Sequence, residues 1–426
     1  MVKVILKWTV CATVLMFWGC VCVSAQTFRE RVAQDRSLAC GVYHPYFHGS
    51  LEDTPAPKGY KPFYVSHFGR HGSRYHTDYN YFKAALDALT AAEAEGNLTE
   101  EGLALLKDVR AVAQASEKMD GALSPLGGRE HQEIARRMSA RFPDVFRSRE
   151  RLEVESVASI IPRCIVSMAN FTQSLAALHP SLEFESFSSQ RHFEYIMKDA
   201  EHREEVSAAV KVFQDSLRKA ICGSEKMFRS LFRDPVKARE SIPSASKFMQ
   251  SLYMSAAICP DLDFLGIDLM HYFDLDELVS QAEVTSARMY YRYANSQEFG
   301  DKNVRQADDL LADIVAKADA ALAPDSRRAA DLRFGHDTGL LPLACLMGVS
   351  GVSYRCPTDG SWEHWATCDR IPMASNLQMV FYRSKKGDVL VKLLYNEQET
   401  TLEGLDPAVG PYYRWSDLRE FLVSKI

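Results

Sequence analysis

A histidine stands between two arginines within residues 66–76, which read SHFGRHGSRYH. A guanidinium group binds a tetrahedral oxyanion through paired hydrogen bonds, and a neutral imidazole is a competent nucleophile near neutral pH. Arg70, His71 and Arg74 therefore have the chemistry to hold a phosphate group and to attack its phosphorus. A charged surface turn accounts for this short stretch equally well, so the interpretation depends on residues elsewhere in the chain.

The segment before the motif predicts where these side chains lie. KPFYVSHFG reads as a buried strand, and Gly69 and Gly72 allow the backbone to leave it, because glycine tolerates unusual backbone angles. If the loop turns straight into a helix, Arg70 and Arg74 can flank one ligand. The N-terminus of that helix would give the same ligand further donors and positive potential.

Two distant segments carry matching chemistry where predicted strands end. IIPRCIVSMANF places Arg163 just after one strand, and RFGHDTGLLPL places His336 and Asp337 where another strand opens into a helix. Ligands of α/β proteins bind at the carboxyl ends of the strands, so we expect these side chains to meet Arg70 and His71. An acid beside a histidine would serve there as general acid and oxyanion partner.

A metal site explains the motif less well than an anion site. His67 and His76 border the motif, but Arg70 and Arg74 would repel a cation, and the stretch contains no carboxylate. We therefore predict no metal and no cofactor.

Several motifs together resemble a known family. RHGSR at 70–74, the later arginine in PRCIVSM and HDT at 336–338 resemble the histidine acid phosphatases, branch 2 of the histidine phosphatase superfamily. LSPLGGREHQEIARRM and the C-terminal segments IPMASNLQMVFYR and VLVKLLYNEQE resemble its phytases and multiple inositol polyphosphate phosphatases. The resemblance covers most of residues 60–180 and 330–424 and is weak across the helical middle. It implies a phosphomonoesterase that acts on inositol polyphosphates, such as phytate, through a phosphohistidine intermediate.

The resemblance also implies a role for each site residue. His71 would be the nucleophile, and His336 would donate a further hydrogen bond to the phosphoryl oxygens. Asp337 would protonate the leaving alkoxide and then activate water. The transferring phosphoryl group would be held by Arg70, Arg74 and Arg163. Phosphoryl transfer needs mostly positioning and charge stabilisation, which three arginines supply.

The acid of the motif leaves the subfamily open. Multiple inositol polyphosphate phosphatases usually have His-Ala-Glu, whereas this chain has His-Asp-Thr at 336–338, as other phytases and acid phosphatases do. The alternatives are a broad-specificity acid phosphatase on sugar or nucleotide phosphates, a non-catalytic phosphate-ligand binding protein on the same scaffold, and a phosphoglycerate-mutase-like transferase. Asp337 favours an enzyme, because a pure binder has no use for a proton donor.

Two further positions have competing interpretations. Arg288 and Arg292, in ARMYYRYA, lie one turn apart on a predicted helix, and aromatic neighbours favour the basic edge of a packed helix over a ligand site. Cys164, beside Arg163, is interpreted as a buried apolar residue rather than a reactive thiol.

The order of elements predicts an α/β fold. Strands separated by helices occur at both ends of the chain, with a long helical middle between them. We predict a central mixed, mostly parallel sheet flanked by helices, formed by residues 26–180 and 324–426. Residues 181–323 are predicted to form a mostly helical insertion domain. NLQMVFYRS and DVLVKLLYNEQ predict a β-hairpin.

The N-terminus predicts export. Residues 1–25 contain two lysines, an apolar run and the small residues Val23-Ser24-Ala25, which together are typical of a cleavable secretory signal. We expect a secreted or periplasmic protein without stable membrane insertion after cleavage, and rank a lipid or membrane anchor lower. In that compartment Cys356 and Cys368 are the best candidates for a disulfide.

The net charge of the chain bears on the kind of ligand that it binds. The chain of 426 residues has a formal net charge of −6, which argues against nucleic acid as the main partner. A small anionic phosphate ester is the predicted ligand, and the oligomeric state stays open.

Overall fold

One sheet organises the molecule. The computed structural model describes residues 26–147, 151–197, 203–220, 225–356 and 364–426, so the predicted signal sequence lies outside the described residues. The strands of this sheet are β1 Tyr60–Arg70, β2 Leu152–Ala158, β3 Leu182–Ser188, β4 Arg328–Gly335, β5 Asn376–Ser384, β6 Val389–Tyr395, β7 Gln398–Thr400 and β8 Tyr412–Arg414.

The sheet is mixed, as predicted. Its strand order is β3-β2-β4-β1-β5-β6-β7, and β8 also pairs with β6. The pairs β3·β2, β2·β4 and β4·β1 are parallel, whereas β5 pairs antiparallel with both β1 and β6. Parallel strands therefore make up one half of the sheet rather than most of it. The predicted hairpin is confirmed as β5 and β6.

Helices connect and cover the strands. The α-helices of the described residues are α1 Phe28–Gln34, α2 Lys83–Ala94, α3 Glu100–Ala115, α4 Pro125–Arg141, α5 Pro143–Phe146, α6 Pro162–Leu178, α7 Gln190–Ile196, α8 Arg203–Ala220, α9 Glu225–Leu231, α10 Pro235–Ser241, α11 Ala245–Ala257, α12 Leu275–Tyr293, α13 Gly300–Asn303, α14 Asp308–Ala321, α15 Asp337–Met347, α16 Thr367–Arg370 and α17 Trp415–Val423. Short 3₁₀ helices are formed by Arg36–Tyr43, Tyr79–Phe82, Cys259–Leu265, Met270–Tyr272 and Val304–Ala307.

Both faces of the sheet are buried. Tyr64 and Phe68 of β1 enter one hydrophobic cluster and Val65 enters another, since successive side chains of a strand point to opposite faces. The first cluster also contains Phe248 and Leu278 from the helical middle, so that part of the chain packs onto the same core. The division into two domains stays a prediction. Strand β3 falls within the predicted insertion, residues 181–323, yet it lies at the edge of this sheet.

Helix α4 approaches the loop after β1 more closely than side chains would allow. Its start matches the sequence, because Ser124 caps the helix and Pro125 occupies the first turn. A Cβ on Gly127 would lie 2.2 Å from the carbonyl oxygen of Ser73, and a Cβ on Gly72 would lie 2.5 Å from the carbonyl oxygen of Gly127. Two backbones therefore pack directly against each other at this point.

The cysteines differ from the expectation. Cys356 and Cys368 are both free and buried, so the predicted disulfide between them is wrong for this structure. The Cys356 thiol lies 3.4 Å from the hydroxyl of Tyr290, whereas the Cys368 thiol lies 3.8 Å from a carboxylate oxygen of Asp369. The two sulfurs thus have separate surroundings. Within the ranges given above, no helix has the length and apolar character needed to span a bilayer.

The glycine contact generates a stability prediction. We expect Gly127→Ala to lower the free energy of unfolding by about 1–3 kcal/mol, because its methyl group would overlap the backbone of Ser73. Gly128→Ala is the matched control, since its methyl group would meet only the Asn170 side chain, at 3.2 Å, and alanine favours a helix. Urea unfolding of both variants measures the difference. Equal stability of the two variants would contradict the close contact.

Candidate active site

The carboxyl ends of three parallel strands meet at one point. Arg70 at the end of β1 is in register with Gly335 at the end of β4, and Ala158 at the end of β2 is in register with Phe334. The amide of His71 donates to the carbonyl of Gly335 at 2.9 Å. The residues that follow each strand are therefore neighbours, as the sequence predicted.

His71 lies at the centre with one nitrogen held. Its Nδ1 lies 2.9 Å from the carbonyl oxygen of Gly72. A carbonyl oxygen only accepts, so Nδ1 carries the proton and Nε2 keeps a free lone pair. The side chain is buried, and burial lowers the pKa of His71 well below its ordinary value, with further lowering by the surrounding arginines. The imidazole is thus a neutral potential nucleophile.

Arg70 is buried and fixed in place. Its Nη1 donates to the carbonyl oxygens of Val42 at 3.0 Å and Ile371 at 2.6 Å. Its Nη2 pairs with Oδ2 of Asp337 at 2.8 Å. Three parts of the chain thereby hold one guanidinium group next to His71.

Arg74 and Arg163 are less fully satisfied. Arg74 donates to the carbonyl oxygen of Tyr75 at 2.8 Å and lies over the ring of Tyr43 at 5.2 Å. Arg163 lies at the start of α6, with Nη2 3.4 Å from Nδ1 of His336. The Nε atoms of both arginines, like that of Arg70, are buried without a hydrogen-bond partner, but unlike Arg70 neither forms an ion pair among the described residues. Such guanidinium groups have donors left for an anionic ligand.

His336 lies edge-on to His71, with ring centroids 5.6 Å apart. Its Nε2 lies 2.9 Å from Oγ of Ser159 and its Nδ1 faces Arg163. Because arginine only donates, Nδ1 is the acceptor. Nε2 therefore carries the proton and donates a hydrogen bond to Oγ of Ser159. Burial and the charge of Arg163 lower the pKa of His336 to about 3, so the ring is neutral. Its predicted role as a donor to the phosphoryl oxygens stays a prediction.

Asp337 is the first residue of α15 and faces Arg70. Its Oδ1 accepts the amide proton of Thr338 at 2.8 Å. Burial alone would raise the pKa of Asp337, but Arg70 and Arg74 outweigh it and hold that pKa below its ordinary value. The carboxyl group is therefore ionised at neutral pH in the ligand-free site.

A helix directly after the motif is absent from this position. Arg74 instead forms an isolated bridge with Leu123, and the next helical turn begins at Tyr79. The helix N-termini at the site belong to α6 and α15, which begin at Pro162 and Asp337. The helices that begin near the motif are therefore α6 and α15, rather than a helix that directly follows Arg74.

The remaining residues near the motif have structural surroundings. His67 packs against Phe171 and Phe334, and burial lowers its pKa to about 3. Nε2 of His76 lies 2.9 Å from the carbonyl oxygen of Met254. Cys164 is buried, its thiol donates to the carbonyl of Gly335 at 3.2 Å, and burial raises its pKa to about 12. This thiol is therefore protonated and not activated.

Three side chains that the sequence did not identify form hydrogen bonds with the loop from the protein interior. Ser167 of α6, Glu130 of α4 and Asp261 of the 3₁₀ helix Cys259–Leu265 accept hydrogen bonds from its backbone. Glu130 had a detectable signal, because it lies three residues after Gly127 and four before Ile134 on the buried face of α4. Asp261 comes from the helical middle and had no comparable signal.

Comparison with known families decides the classification. Residues 65–396 match the model of the histidine phosphatase superfamily, branch 2. The chain belongs to this superfamily. This histidine phosphatase is similar to multiple inositol polyphosphate phosphatase 1 of Gallus gallus, with 24% identity over 388 residues that cover 83% of the chain and 79% of the relative. It is also similar to the Homo sapiens protein of the same name, with 23% identity over 333 residues that cover 69% of the chain and 64% of the human protein.

Solved structures share the fold of this histidine phosphatase. The multiple inositol polyphosphate phosphatase of Bifidobacterium longum, in complex with inositol hexasulfate, superposes with a TM-score of 0.70 at 18% identity and covers 90% of this chain and 97% of its own. The phytase from D. castellii gives a TM-score of 0.67 at 15% identity, with 91% of this chain and 85% of its own covered. At such identities the comparison establishes the architecture.

The unpaired arginines generate a binding prediction for this histidine phosphatase. We expect inorganic phosphate to bind in the presence of EDTA, and Arg163→Ala to weaken that binding about 10-fold or more, the usual size of one charge-assisted contact. Arg136→Ala is the control, because Arg136 is exposed and pairs only with Glu133. Isothermal titration calorimetry measures both affinities. An unchanged affinity in Arg163→Ala would remove Arg163 from the phosphate site.

Proposed function

We propose that this histidine phosphatase is a secreted phosphomonoesterase that hydrolyses inositol polyphosphates, phytate included, through a phosphohistidine on His71. The observation that carries the proposal is the free Nε2 of His71 among three arginines, with the Asp337 carboxyl group ion-paired beside them. The similarity to two vertebrate multiple inositol polyphosphate phosphatases, a bacterial one and a phytase supports the substrate class. Secretion rests on the predicted signal in residues 1–25.

The first step transfers the phosphoryl group to the protein. Nε2 of His71 attacks phosphorus while Arg70, Arg74 and Arg163 bind the equatorial oxygens. The bond from phosphorus to the ester oxygen breaks, and that oxygen takes the proton of Asp337. An alkoxide is a poor leaving group, so this proton lowers the barrier.

The second step releases phosphate. Asp337, now ionised, removes a proton from a water molecule, and the water oxygen attacks the phosphohistidine. The phosphorus–nitrogen bond breaks, its electron pair returns to Nε2 of His71, and Asp337 is protonated again. No net proton or electron is consumed beyond those of ester hydrolysis.

The protonation states favour mildly acidic conditions. Asp337 is ionised in the empty site, so the first proton has to arrive with the substrate. A phosphate monoester has a second pKa of about 6, and below that pH it enters as a monoanion that carries a proton. His71 stays neutral at the same pH, because burial lowers its pKa well below the ordinary value.

The general acid generates the decisive test. We expect Asp337→Asn to slow the hydrolysis of glycerol phosphate by about 10²–10⁴-fold, and that of p-nitrophenyl phosphate much less, because p-nitrophenolate leaves without a proton. Phosphate release gives kcat on both substrates. His71→Ala serves as the null variant and should be inactive on both. Equal losses in Asp337→Asn, or turnover in His71→Ala, would contradict the assigned roles.

Two arginines of α12 that act electrostatically on Tyr293 support a polyphosphate substrate. Burial and the charge of Asp337 raise the pKa of Tyr293, and Arg292 and Arg288 oppose that rise. Arg288 and Arg292 therefore act electrostatically on Tyr293, whose pKa also responds to the charge of Asp337. Arg288 also acts on Tyr81, whose pKa is raised by burial.

The sequence favoured the solvated basic edge of a packed helix over a ligand site for these arginines, and that interpretation stays a prediction. Each is only partly exposed, and neither forms an ion pair or a hydrogen bond among the described residues. The Nε of Arg292 is buried without a partner. A monophosphate held by Arg70, Arg74 and Arg163 leaves this second pair of positive charges unused, whereas an inositol ring carries further phosphates for them.

The second pair generates a specificity prediction. We expect the double variant Arg288→Gln, Arg292→Gln to raise KM for phytate about 10-fold or more, and to change KM for p-nitrophenyl phosphate less than about 3-fold. Arg229→Gln is the control, because Arg229 is exposed on α9 and pairs with Glu225. Steady-state kinetics on both substrates separates the effects. Parallel changes would instead favour a broad-specificity acid phosphatase.

A further inference from the structure

Three consecutive backbone amides of the loop after β1 point into the protein. The amide of Gly72 donates to Oγ of Ser167 at 3.2 Å. The amide of Ser73 donates to Oε2 of Glu130 at 2.7 Å, and that of Arg74 lies 3.4 Å from Oδ2 of Asp261. The loop therefore offers side chains to a ligand, while buried partners occupy its amides.

Glu130 makes the shortest of these contacts and adds two more. Its Oε1 accepts the hydroxyl proton of Ser73 at 2.8 Å and the amide proton of Tyr46 at 2.8 Å. The residue is only 7% exposed. Three donors converge on its two oxygens, which is the surrounding that a carboxylate requires when it is removed from water.

One peptide group connects Glu130 to the nucleophile. The Gly72–Ser73 peptide accepts the Nδ1 proton of His71 at its carbonyl oxygen and donates its own N–H to Glu130. Hydrogen bonds in series polarise one another, so a negative charge on Glu130 strengthens the acceptor that holds His71. The connection runs through the backbone, because the hydrogen bonds of Glu130 are made with Ser73 and Tyr46 and not with the imidazole.

The carboxyl groups of Glu130 and Asp261 are both buried, and the charge of one acts on the other. Burial raises the pKa of both carboxyl groups, and the charge of Glu130 raises that of Asp261 further, well above its ordinary value. Asp261 accepts one long hydrogen bond from an amide, and its Oδ1 has no partner, whereas Glu130 has three donors. Ionisation of one buried carboxyl group disfavours ionisation of the other, and the three donors around Glu130 favour the negative charge on Glu130.

We propose that Glu130 is a positioning residue for the phosphoryl transfer, whose carboxylate orients His71 and fixes its Nδ1–H tautomer through the Gly72–Ser73 peptide. This inference rests on the proposed function of His71 as nucleophile. It assigns to a glutamate behind the loop the part that a carboxylate in direct contact with histidine has in other nucleophilic sites. In the proposed function the phosphate is held by the side chains of Arg70, Arg74 and Arg163, whose own hydrogen bonds go to groups other than the Gly72–Ser73 peptide.

The test compares carboxylate and amide at position 130. Glu130→Gln keeps the shape but removes the charge and turns one amide N–H toward a donor of the loop. We expect kcat on p-nitrophenyl phosphate to fall about 10- to 100-fold, the usual cost of a slightly misplaced catalytic group, with KM changed less than about 3-fold. Glu133→Gln on the exposed face of α4 is the matched control and should keep full activity.

Two further variants separate the contributions of the hydroxyl contact and of the side-chain length to kcat. Ser73→Ala removes the hydroxyl contact but leaves the amide bond to Glu130, so it should lose less than about 5-fold in kcat. Glu130→Asp keeps the charge but shortens the side chain, and its kcat should lie between those of wild type and Glu130→Gln. If Glu130→Gln does not fold, Glu130→Asp decides, with a kcat loss at unchanged KM expected.

The outcomes separate this inference from the function beneath it. A wild-type protein that releases no phosphate from p-nitrophenyl phosphate would overturn the proposed function and the inference with it. An active wild type with an equally active Glu130→Gln would overturn the inference alone. Thermal unfolding is measured in parallel. A loss in Glu130→Gln that follows a lower melting temperature and changes kcat and KM together would assign Glu130 a purely structural role.

Discussion

Three guanidinium groups converge at the end of the sheet, and Asp337 is the one carboxylate among the described residues that forms an ion pair with any of them. Burying positive charge is unfavourable unless partners replace water, and here the partners are sparse. Arg70 has two carbonyl groups and Asp337, Arg74 has one carbonyl and an aromatic ring, and Arg163 faces a neutral histidine. The N-termini of α6 and α15 add to the positive potential. An oxyanion supplies what this arrangement lacks.

This concentration of charge explains why the imidazole of His71 is neutral and the carboxyl group of Asp337 is ionised. A positive imidazole would repel three guanidinium groups, so the pKa of His71 moves down. The same field holds the pKa of Asp337 below its ordinary value, against the effect of burial. A phosphate group that enters neutralises the arginines and weakens their hold on Asp337. Binding of the substrate and protonation of the acid are therefore coupled through one electrostatic field.

The sequence predicted the parts that depend on local pattern. Strand ends, helix starts and glycine positions identified the neighbourhood of His71, Arg163 and Asp337, because short periodic patterns report burial and backbone geometry. The parts that depend on distant packing were missed or wrong. In place of a helix directly after the motif, Arg74 forms a bridge to Leu123, and the spacing of Cys356 and Cys368 says nothing of where their sulfurs point. Asp261 contacts the loop after β1 from the helical middle, where pattern alone gives no position.

The orientation of the loop separates two ways of holding phosphate. Phosphate-binding loops of many proteins turn their amides toward the ligand, which fixes the anion but offers no nucleophile. Here the amides of residues 72–74 point inward and are satisfied by Ser167, Glu130 and Asp261. The outward face is left to side chains, among them an imidazole whose tautomer the backbone itself sets. A loop built only to bind phosphate would gain from the opposite arrangement. Because its amides are committed to the protein interior, the rigidity of the loop serves the placement of His71 rather than the affinity for the anion.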